Sequence, residues 1–120
     1  VHASSWVDIS VDVGDGSIVC AGGVVQPDSV LGRHCIINTG ATIDHDCRVG
    51  DYAHVCPGAH LGGNVHVGTG SWIGIGSQVI QGVAIGANVT VGAGSTVLRD
   101  VPDNAVVVGS PARIVRYDRC

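Results

Sequence analysis

The apolar residues of this chain recur with a period of six. From residue 1 to residue 97, every sixth position is valine, isoleucine or leucine, with no change of phase. These positions are Val1, Val7, Val13, Val19, Val25, Leu31, Ile37, Ile43, Val49, Val55, Leu61, Val67, Ile73, Val79, Ile85, Val91 and Val97. An amphipathic helix needs apolar residues every three or four positions, and a half-buried strand needs alternation. A period of six fits neither and predicts a solenoid of short strands separated by turns.

A second interior position lies four residues after each aliphatic residue. Most of its occupants are small, and valine fills the rest: Ser5, Ser17, Gly23, Ser29, Cys35, Ala41, Cys47, Ala53, Ala59, Ser71, Ser77 and Ser95 are the small ones. Each hexad therefore places one aliphatic and one small side chain in a narrow, regular interior. Cys35 and Cys47 are expected to be core fillers, since free cysteine is often buried.

Glycine follows the aliphatic residue in every third hexad. The members of this column are Gly14, Gly32, Gly50, Gly68 and Gly86. Three hexads therefore make one triangular coil, and residues 1–102 give nearly six coils of an all-β parallel helix. We expect the glycine column to mark a corner with positive φ. Pro102 ends the repeat, and residues 103–120 are predicted to be a tail that packs on the last coils.

The composition favours one β-rich domain and excludes two classes of partner. The 120 residues include 19 glycines and no Phe, Met or Lys. A net charge of −4 argues against a nucleic-acid surface, and neither a membrane-spanning run nor a signal peptide occurs. The five cysteines form no CxxC pair, which favours a reducing, cytoplasmic setting. The chain opens on Val1 rather than Met, which fits either an excised domain or a processed product.

Two surface features have open interpretations. Large apolar residues occupy the outward position before the aliphatic residue in several hexads, which fits either a partner surface or scattered surface apolarity. These residues are Trp6, Ile18, Val24, Val30, Ile36 and Trp72. Arg113, Arg116 and Arg119 crowd the last eight residues, where they fit either a phosphate clamp or a solvated terminus.

Histidines are the candidate chemistry, because imidazole carries protons near neutral pH. His45, His54, His60 and His66 fall outside the interior positions of the middle coils. Asp44 and Asp46 flank His45, and a carboxylate beside an imidazole orients it and raises its basicity. Eighteen residues further on lies Gly63, so open space and a backbone N–H are expected above the ring. The pattern fits either an acyl-acceptor site or a solvated turn.

Two segments resemble the hexapeptide acyltransferases. They are residues 37–65, which contain Asp44-His45-Asp46 and Gly62-Gly63-Asn64, and residues 108–113, Val-Gly-Ser-Pro-Ala-Arg. The resemblance is closest to the sialic-acid O-acetyltransferases and the bacterial UDP-4-amino-sugar N-acetyltransferases. It implies a left-handed β-helix, a homotrimer, and acetyl-CoA bound in the groove between neighbouring subunits. No metal is expected.

The resemblance also implies roles for individual residues. His45 matches the catalytic base, and Asp46 matches the acidic residue that raises its basicity. Asn38 matches a polar residue near the acceptor. Relatives carry an N-terminal nucleotide-sugar-binding domain before the helix, which these residues do not include, so the identity of the acceptor stays open.

Four residues match the family's acetyl-CoA site. His54 matches a histidine beside the acetyl group. Gly63, Ile75 and Ala93 match positions whose backbone groups contact the thioester or the pantetheine arm. The implied activity is transfer of an acetyl group from acetyl-CoA to an amine or hydroxyl of a sugar or nucleotide sugar. In this mechanism His45 deprotonates the acceptor and the Gly63 amide receives the oxyanion.

Two other functions are compatible with a β-helix. A hydratase of the γ-carbonic anhydrase type needs three zinc-binding histidines, two of them five residues apart on one chain. The histidine spacings from His34 onward are 11, 9, 6 and 6, which does not fit. A non-catalytic trimeric assembly module would bind no acetyl-CoA. Cys56 as a nucleophile has no base nearby in the register.

The spacing between His45 and His54 predicts where an active site would form. The two are nine residues apart, half of one coil, so they are expected at different corners of one subunit. One small substrate then reaches both only if each comes from a different chain. The alternative is that His54 merely packs under Trp72, eighteen residues further on.

Overall fold

The structure, a computed structural model, describes residues 1–118; Arg119 and Cys120 lie outside the described residues. The chain winds through three flat faces in turn. The first face holds the parallel strands β1 (Trp6–Val7), β4 (Val24–Val25), β7 (Thr42–Ile43), β10 (His60–Leu61), β13 (Gln78–Val79) and β16 (Thr96–Val97). The second face holds β2 (Asp12–Val13), β5 (Val30–Leu31), β8 (Arg48–Val49), β11 (His66–Val67) and β14 (Ala84–Ile85).

The third face contains five coil strands and a terminal hairpin. The coil strands are β3 (Ile18–Val19), β6 (Ile36–Ile37), β9 (His54–Val55), β12 (Trp72–Ile73) and β15 (Thr90–Val91). The tail forms β17 (Ala105–Gly109), which pairs parallel to β15, and β18 (Ala112–Tyr117), which pairs antiparallel to β17. Residues 1–118 contain no helix with the length and hydropathy needed to cross a bilayer.

Three columns of turns join the faces, and each is named here after one residue. The His45 corner, between the first and second faces, includes residues 44–47 and 62–65. The Tyr52 corner, between the second and third faces, includes residues 50–53. The Asn38 corner, between the third face and the next coil's first face, includes residues 38–41 and 74–77. Strands pair with partners eighteen residues away, as in His60↔Gln78 and Trp72↔His54, so the predicted triangular coil of three hexads is confirmed.

The interior has the predicted composition. Ile37, Ile43 and Val55 are fully buried, and the small residues after them fill the corners. Buried serines also satisfy the backbone there: the Ser29 hydroxyl donates to the Asp44 carbonyl at 2.9 Å, and Ser71, Ser77 and the partly buried Ser17 make equivalent bonds. No buried side-chain polar atom in residues 1–118 lacks a partner, which is the condition for placing hydroxyls in an apolar core.

The glycine column has a different cause from the predicted one. Positive φ occurs two positions later in each turn, at residues such as His34 (54°) and Tyr52 (59°), and not at Gly68 or its equivalents. A Cβ on Gly68 would lie 2.4 Å from the carbonyl carbon of Gly86 in the next coil. The column therefore contains glycine because successive backbones approach too closely for a side chain, and the expectation of positive φ was wrong.

Among the outward apolar residues, the largest side chains are the most exposed. Trp6, Ile18 and Trp72 are 50%, 51% and 53% exposed, whereas Val24, Val30 and Ile36 are partly covered by their neighbours. The most exposed apolar side chains of this column thus lie on the first and third faces.

Close backbone approach predicts how glycine substitutions affect stability. Gly68→Ala places its methyl group against backbone, which cannot move aside, so it should cost about 1–3 kcal/mol or more. The matched control is Gly76→Asn. Gly76 has open space around it and a φ of 67°, a conformation that Asn64 and Asn88 adopt here. Thermal unfolding should show a clear loss for Gly68→Ala and little for the control; equal midpoints would contradict the explanation.

Candidate active site

His45 stands at the tip of a turn that its two neighbouring aspartates shape. The turn joins β7 to β8, and Asp46 adopts a left-handed φ of 56°. The Asp44 carboxylate accepts a hydrogen bond from the His45 amide at 2.8 Å, an interaction that short acidic side chains make readily in turns. The His45 side chain is therefore held outward and is 61% exposed.

Asp46 determines which nitrogen of the His45 ring carries the proton. The His45 Nδ1 lies 2.9 Å from Asp46 Oδ2. Because an ionised carboxylate only accepts, Nδ1 carries the proton and Nε2 presents a lone pair when the ring is neutral. The hydrogen bond to Asp46 raises the pKa of His45, and the nearby charges of Asp44 and Asp46 add to the effect. The ring is therefore oriented and made more basic, as predicted.

Gly63 lies directly against the Nε2 edge of this ring. A Cβ at Gly63 would be 2.6 Å from His45 Nε2, so any residue other than glycine would clash with the imidazole. Gly63 is buried, and its amide donates to no acceptor within residues 1–118. A shallow surface pocket opens here, lined by Asp44, His45, Gly62, Gly63, Asn64, Gln81 and Gly82. A base and an unused backbone donor thus border one pocket.

A second polar cluster lies on the third face. The Asn38 Nδ2 donates to His54 Nε2 at 3.0 Å, with the amide orientation set by the Thr39 amide, which donates to Asn38 Oδ1 at 2.7 Å. The Trp72 ring meets His54 edge to face, with centroids 4.7 Å apart. Burial lowers the pKa of His54. The Nε2 of His54 accepts the Asn38 hydrogen bond, so this nitrogen carries no proton, and the packing against Trp72 considered as an alternative does occur.

The two clusters are separated within one chain. His54 lies on strand β9 of the third face, so the expectation that it occupies a corner was wrong; half a coil from the His45 corner ends on the opposite face. Ile75 and Ala93 lie at the Asn38 corner in successive coils, where the Gly94 amide donates to the Ile75 carbonyl at 2.8 Å. Both residues are exposed, and neither amide donates to an acceptor within residues 1–118.

Two of the remaining histidines have other partners. His34 stacks on Tyr52 with ring centroids 5.3 Å apart, and the Nδ1 of His60 lies 2.6 Å from the Thr42 hydroxyl. Within the part of the chain that the structure describes, no three His, Cys, Asp or Glu side chains cluster in a way that could hold a metal ion.

Sequence reasoning missed the other members of the His45 column. Gln81 and Arg99 follow Gly63 at intervals of eighteen residues, and Pro27 precedes His45 by the same interval. Gln81 borders the same pocket as His45. The same interval of eighteen residues that connects His45 with Gly63 predicts Gln81 and Arg99 as the next members of the column.

Sequence profiles identify the family. Residues 28–63 and 64–99 match the bacterial transferase hexapeptide (six repeats) family, and residues 3–27 match the hexapeptide repeat of succinyl-transferase. The chain belongs to the bacterial hexapeptide transferases. A comparison with curated protein sequences gives no match.

Solved structures resemble this hexapeptide transferase closely. A mutant of GDP-perosamine N-acetyltransferase from Caulobacter crescentus, in complex with CoA and GDP-perosamine, has 46% identity and a TM-score of 0.94, covering 95% of this chain and 54% of that one. The acetyltransferase domain of PglB from Neisseria gonorrhoeae, in complex with acetyl-CoA, has 44% identity and a TM-score of 0.94, with 95% and 56% covered.

A third similar structure is WeeI from Acinetobacter baumannii, with 33% identity, a TM-score of 0.92, and 94% and 56% of the two chains covered. The chain spans about half the length of these proteins. The likeness confirms the predicted left-handed parallel β-helix of hexapeptide repeats.

The Asp46 hydrogen bond predicts a measurable change in the ionisation of His45. In Asp46→Asn the largest cause of the raised His45 pKa is lost, so the pKa of His45 should fall toward the ordinary histidine value. Asp44→Asn, the matched control, removes only a weaker charge effect and should lower it less. An NMR titration of the imidazole nitrogens measures both; an equal effect of the two variants would contradict this assignment.

Proposed function

We propose that this hexapeptide transferase moves an acetyl group from acetyl-CoA to the amine of a sugar, with a nucleotide sugar as the acceptor. The observation that carries the proposal is the His45 ring, whose Nδ1 is held by Asp46 while Nε2 lies against Gly63, a residue whose amide is unused within residues 1–118. Relatives 44–46% identical support the reaction class, since one is an N-acetyltransferase bound to CoA and an amino-sugar nucleotide and another an acetyltransferase domain bound to acetyl-CoA.

The reaction is a direct acyl transfer. The acceptor nitrogen attacks the thioester carbonyl carbon while His45 Nε2 takes a proton from the nitrogen. The tetrahedral intermediate then collapses, the carbon–sulfur bond breaks, and the thiolate of CoA leaves with the bond's electron pair. The imidazolium returns its proton to that sulfur, so the enzyme ends unchanged. No covalent acyl-enzyme is required, because a thiolate is already a good leaving group.

Asp46 and Gly63 support the two charges that develop. Positive charge grows on His45 as it takes the proton, and the Asp46 carboxylate stabilises it across the 2.9 Å contact. Negative charge grows on the thioester oxygen, where a preorganised backbone N–H is most effective. A buried glycine with an uncommitted amide, one coil above the base, is placed for that second role.

We propose further that the enzyme is a homotrimer with its active sites between subunits. His45 and the Asn38–His54 pair lie on opposite sides of one coil, and a small thioester does not reach around it. A neighbouring chain would bring its His54, Ile75 and Ala93 against the first chain's His45 corner. Exposed Trp72 and Ile18 on the third face provide apolar area for such an interface.

Two further assignments follow the same proposal. Cys20, Cys35, Cys47 and Cys56 are free thiols, which supports a cytoplasmic location. The rival function, a non-catalytic assembly module, is disfavoured because a structural turn does not require both a glycine one coil above His45 and a carboxylate on its Nδ1.

The decisive variant is His45→Ala. Release of the CoA thiol is measured with acetyl-CoA and a panel of amino-sugar nucleotides that includes GDP-perosamine. His45→Ala should lose about 10²-fold or more in turnover, the usual contribution of a general base. The matched control is His66→Ala, which removes an exposed histidine of the second face and should keep wild-type turnover. Full activity of His45→Ala, or no thiol release by the wild type with any acceptor, would refute the proposal.

A further inference from the structure

Tyr52 is the unusual member of its corner. Its backbone adopts a left-handed φ of 59°, which elsewhere in residues 1–118 occurs only at glycine, asparagine, aspartate and histidine. A bulky side chain is strained there, and such strain persists mainly at functional positions. The ring is 63% exposed, and its hydroxyl has no hydrogen-bond partner in the described part of the chain. An aromatic face is therefore presented to solvent where asparagine or glycine would be less strained.

One layer of the Tyr52 corner contains no side chain. In this column a side chain leans over the turn one coil nearer the N-terminus, as His34 does over Gly16 and Asn88 over Gly70. The Tyr52 ring stacks on His34, but Gly70 has no side chain to cover Tyr52 in turn. The ring and the Asn88 carboxamide are thus two coil spacings apart, about 9.6 Å. One planar ring fits between them at about 4.8 Å from each, a normal separation for stacked rings.

A cation lies on the same coil, between the Tyr52 corner and the His45 corner. Arg48 projects from β8 on the second face and is exposed. It forms no ion pair within residues 1–118, and its strand neighbours are Val30 and His66. The guanidinium is therefore open to an anion that lies across this face.

Three carboxylates lie near Arg48, and two of them already accept hydrogen bonds. In the flanking turns, Asp46 accepts from His45 Nδ1 at 2.9 Å, and Asp51 accepts from the Arg33 amide at 2.9 Å. The third, Asp12, lies two coils below Arg48 on the same face, about 9.6 Å away at the strand spacing. The position directly in front of Arg48 is thus the most favourable place on this face for negative charge.

The spacing of the three side chains matches a nucleotide sugar. At about 3.3 Å per residue, Arg48 lies up to about 10 Å and Tyr52 up to about 23 Å from His45 along the coil. In a nucleotide sugar with an amine on carbon 4, about 7 bonds separate the amine from the oxygen between the phosphates, and about 14 separate it from the base, which is about 9 and 18 Å at about 3.8 Å per three bonds. An amine at His45 therefore brings the diphosphate to Arg48 and the base to Tyr52.

We propose that the second face binds the nucleotide part of the acceptor, with the diphosphate on Arg48 and the base stacked on Tyr52. The assignment rests on the proposed acetyl transfer and adds a surface of this chain to acceptor recognition. A guanidinium binds phosphate oxygens in pairs, and an aromatic ring stacks any base, because every base has a π-face. The proposed trimer interface uses the third face, so the second face stays open in the assembly.

Steady-state kinetics of the intact protein test this surface, with GDP-perosamine or whichever nucleotide sugar of the panel the wild type acetylates fastest. Tyr52→Asn should raise the acceptor KM about tenfold with kcat unchanged, because only uniform binding is lost. Asn64 and Asn88 adopt the same backbone conformation, so this variant adds no strain. Tyr52→Phe keeps the ring and should keep the wild-type KM. Arg48→Gln should also raise KM about tenfold, whereas the control Arg116→Gln, in the terminal hairpin, should not.

A second acceptor and the donor separate this inference from the proposed function. The methyl glycoside of the same amino sugar lacks the nucleotide, so its kcat/KM should be low and equal in wild type, Tyr52→Asn and Arg48→Gln. Binding of CoA, which carries the other base of the reaction, should not change in either variant. An unchanged acceptor KM in either variant, an equal loss with the methyl glycoside, or weakened CoA binding instead overturns the surface while acetyl transfer stands. A wild type that acetylates no acceptor overturns both.

Discussion

The structure depends on one constraint, the parallel pairing of each strand with the strand eighteen residues later. This pairing fixes residue i directly beneath residue i+18, with no freedom to slip, because a shift of one position would turn every aliphatic side chain outward. Stacked backbones then approach so closely that Gly68 and its column admit no side chain. The same constraint that closes the core also sets which functional groups touch.

The candidate active site is a product of that register. His45 contacts Gly63 because eighteen residues separate them, and the ring keeps its place because Gly63 has no Cβ. Local chemistry supplies the rest: Asp46, in a left-handed turn position, bonds the Nδ1 edge, and Nε2 lies against Gly63. The helix interior provides a rigid apolar core, and the candidate site lies at an exposed corner. The polar and titratable groups of the site therefore do not interrupt the core.

Much of the fold and of the candidate site could be predicted from the sequence, because in a strict repeat the number of a residue determines its place in the coil. The period of six predicts the interior positions, and the period of eighteen predicts the coils and the His45–Gly63 contact. Composition alone did not distinguish two reasons for glycine, positive φ and close approach, so the column was assigned the wrong one. The nine-residue spacing likewise predicts a corner for His54, whereas His54 lies on β9. The Asn38–His54 bond depends on side-chain torsions, which periodicity does not specify.

The fixed coil separates His45 from His54, and we propose that a second chain reunites them. Mixing His45→Ala with His54→Ala, unfolding both and reassembling the trimers tests it most directly. Each pure variant should be inactive. A random mixture should recover about one quarter of wild-type turnover, since a site works when one neighbour supplies an intact His45 and the other an intact His54. Two inactive parents whose mixture stays inactive would contradict the two-chain site.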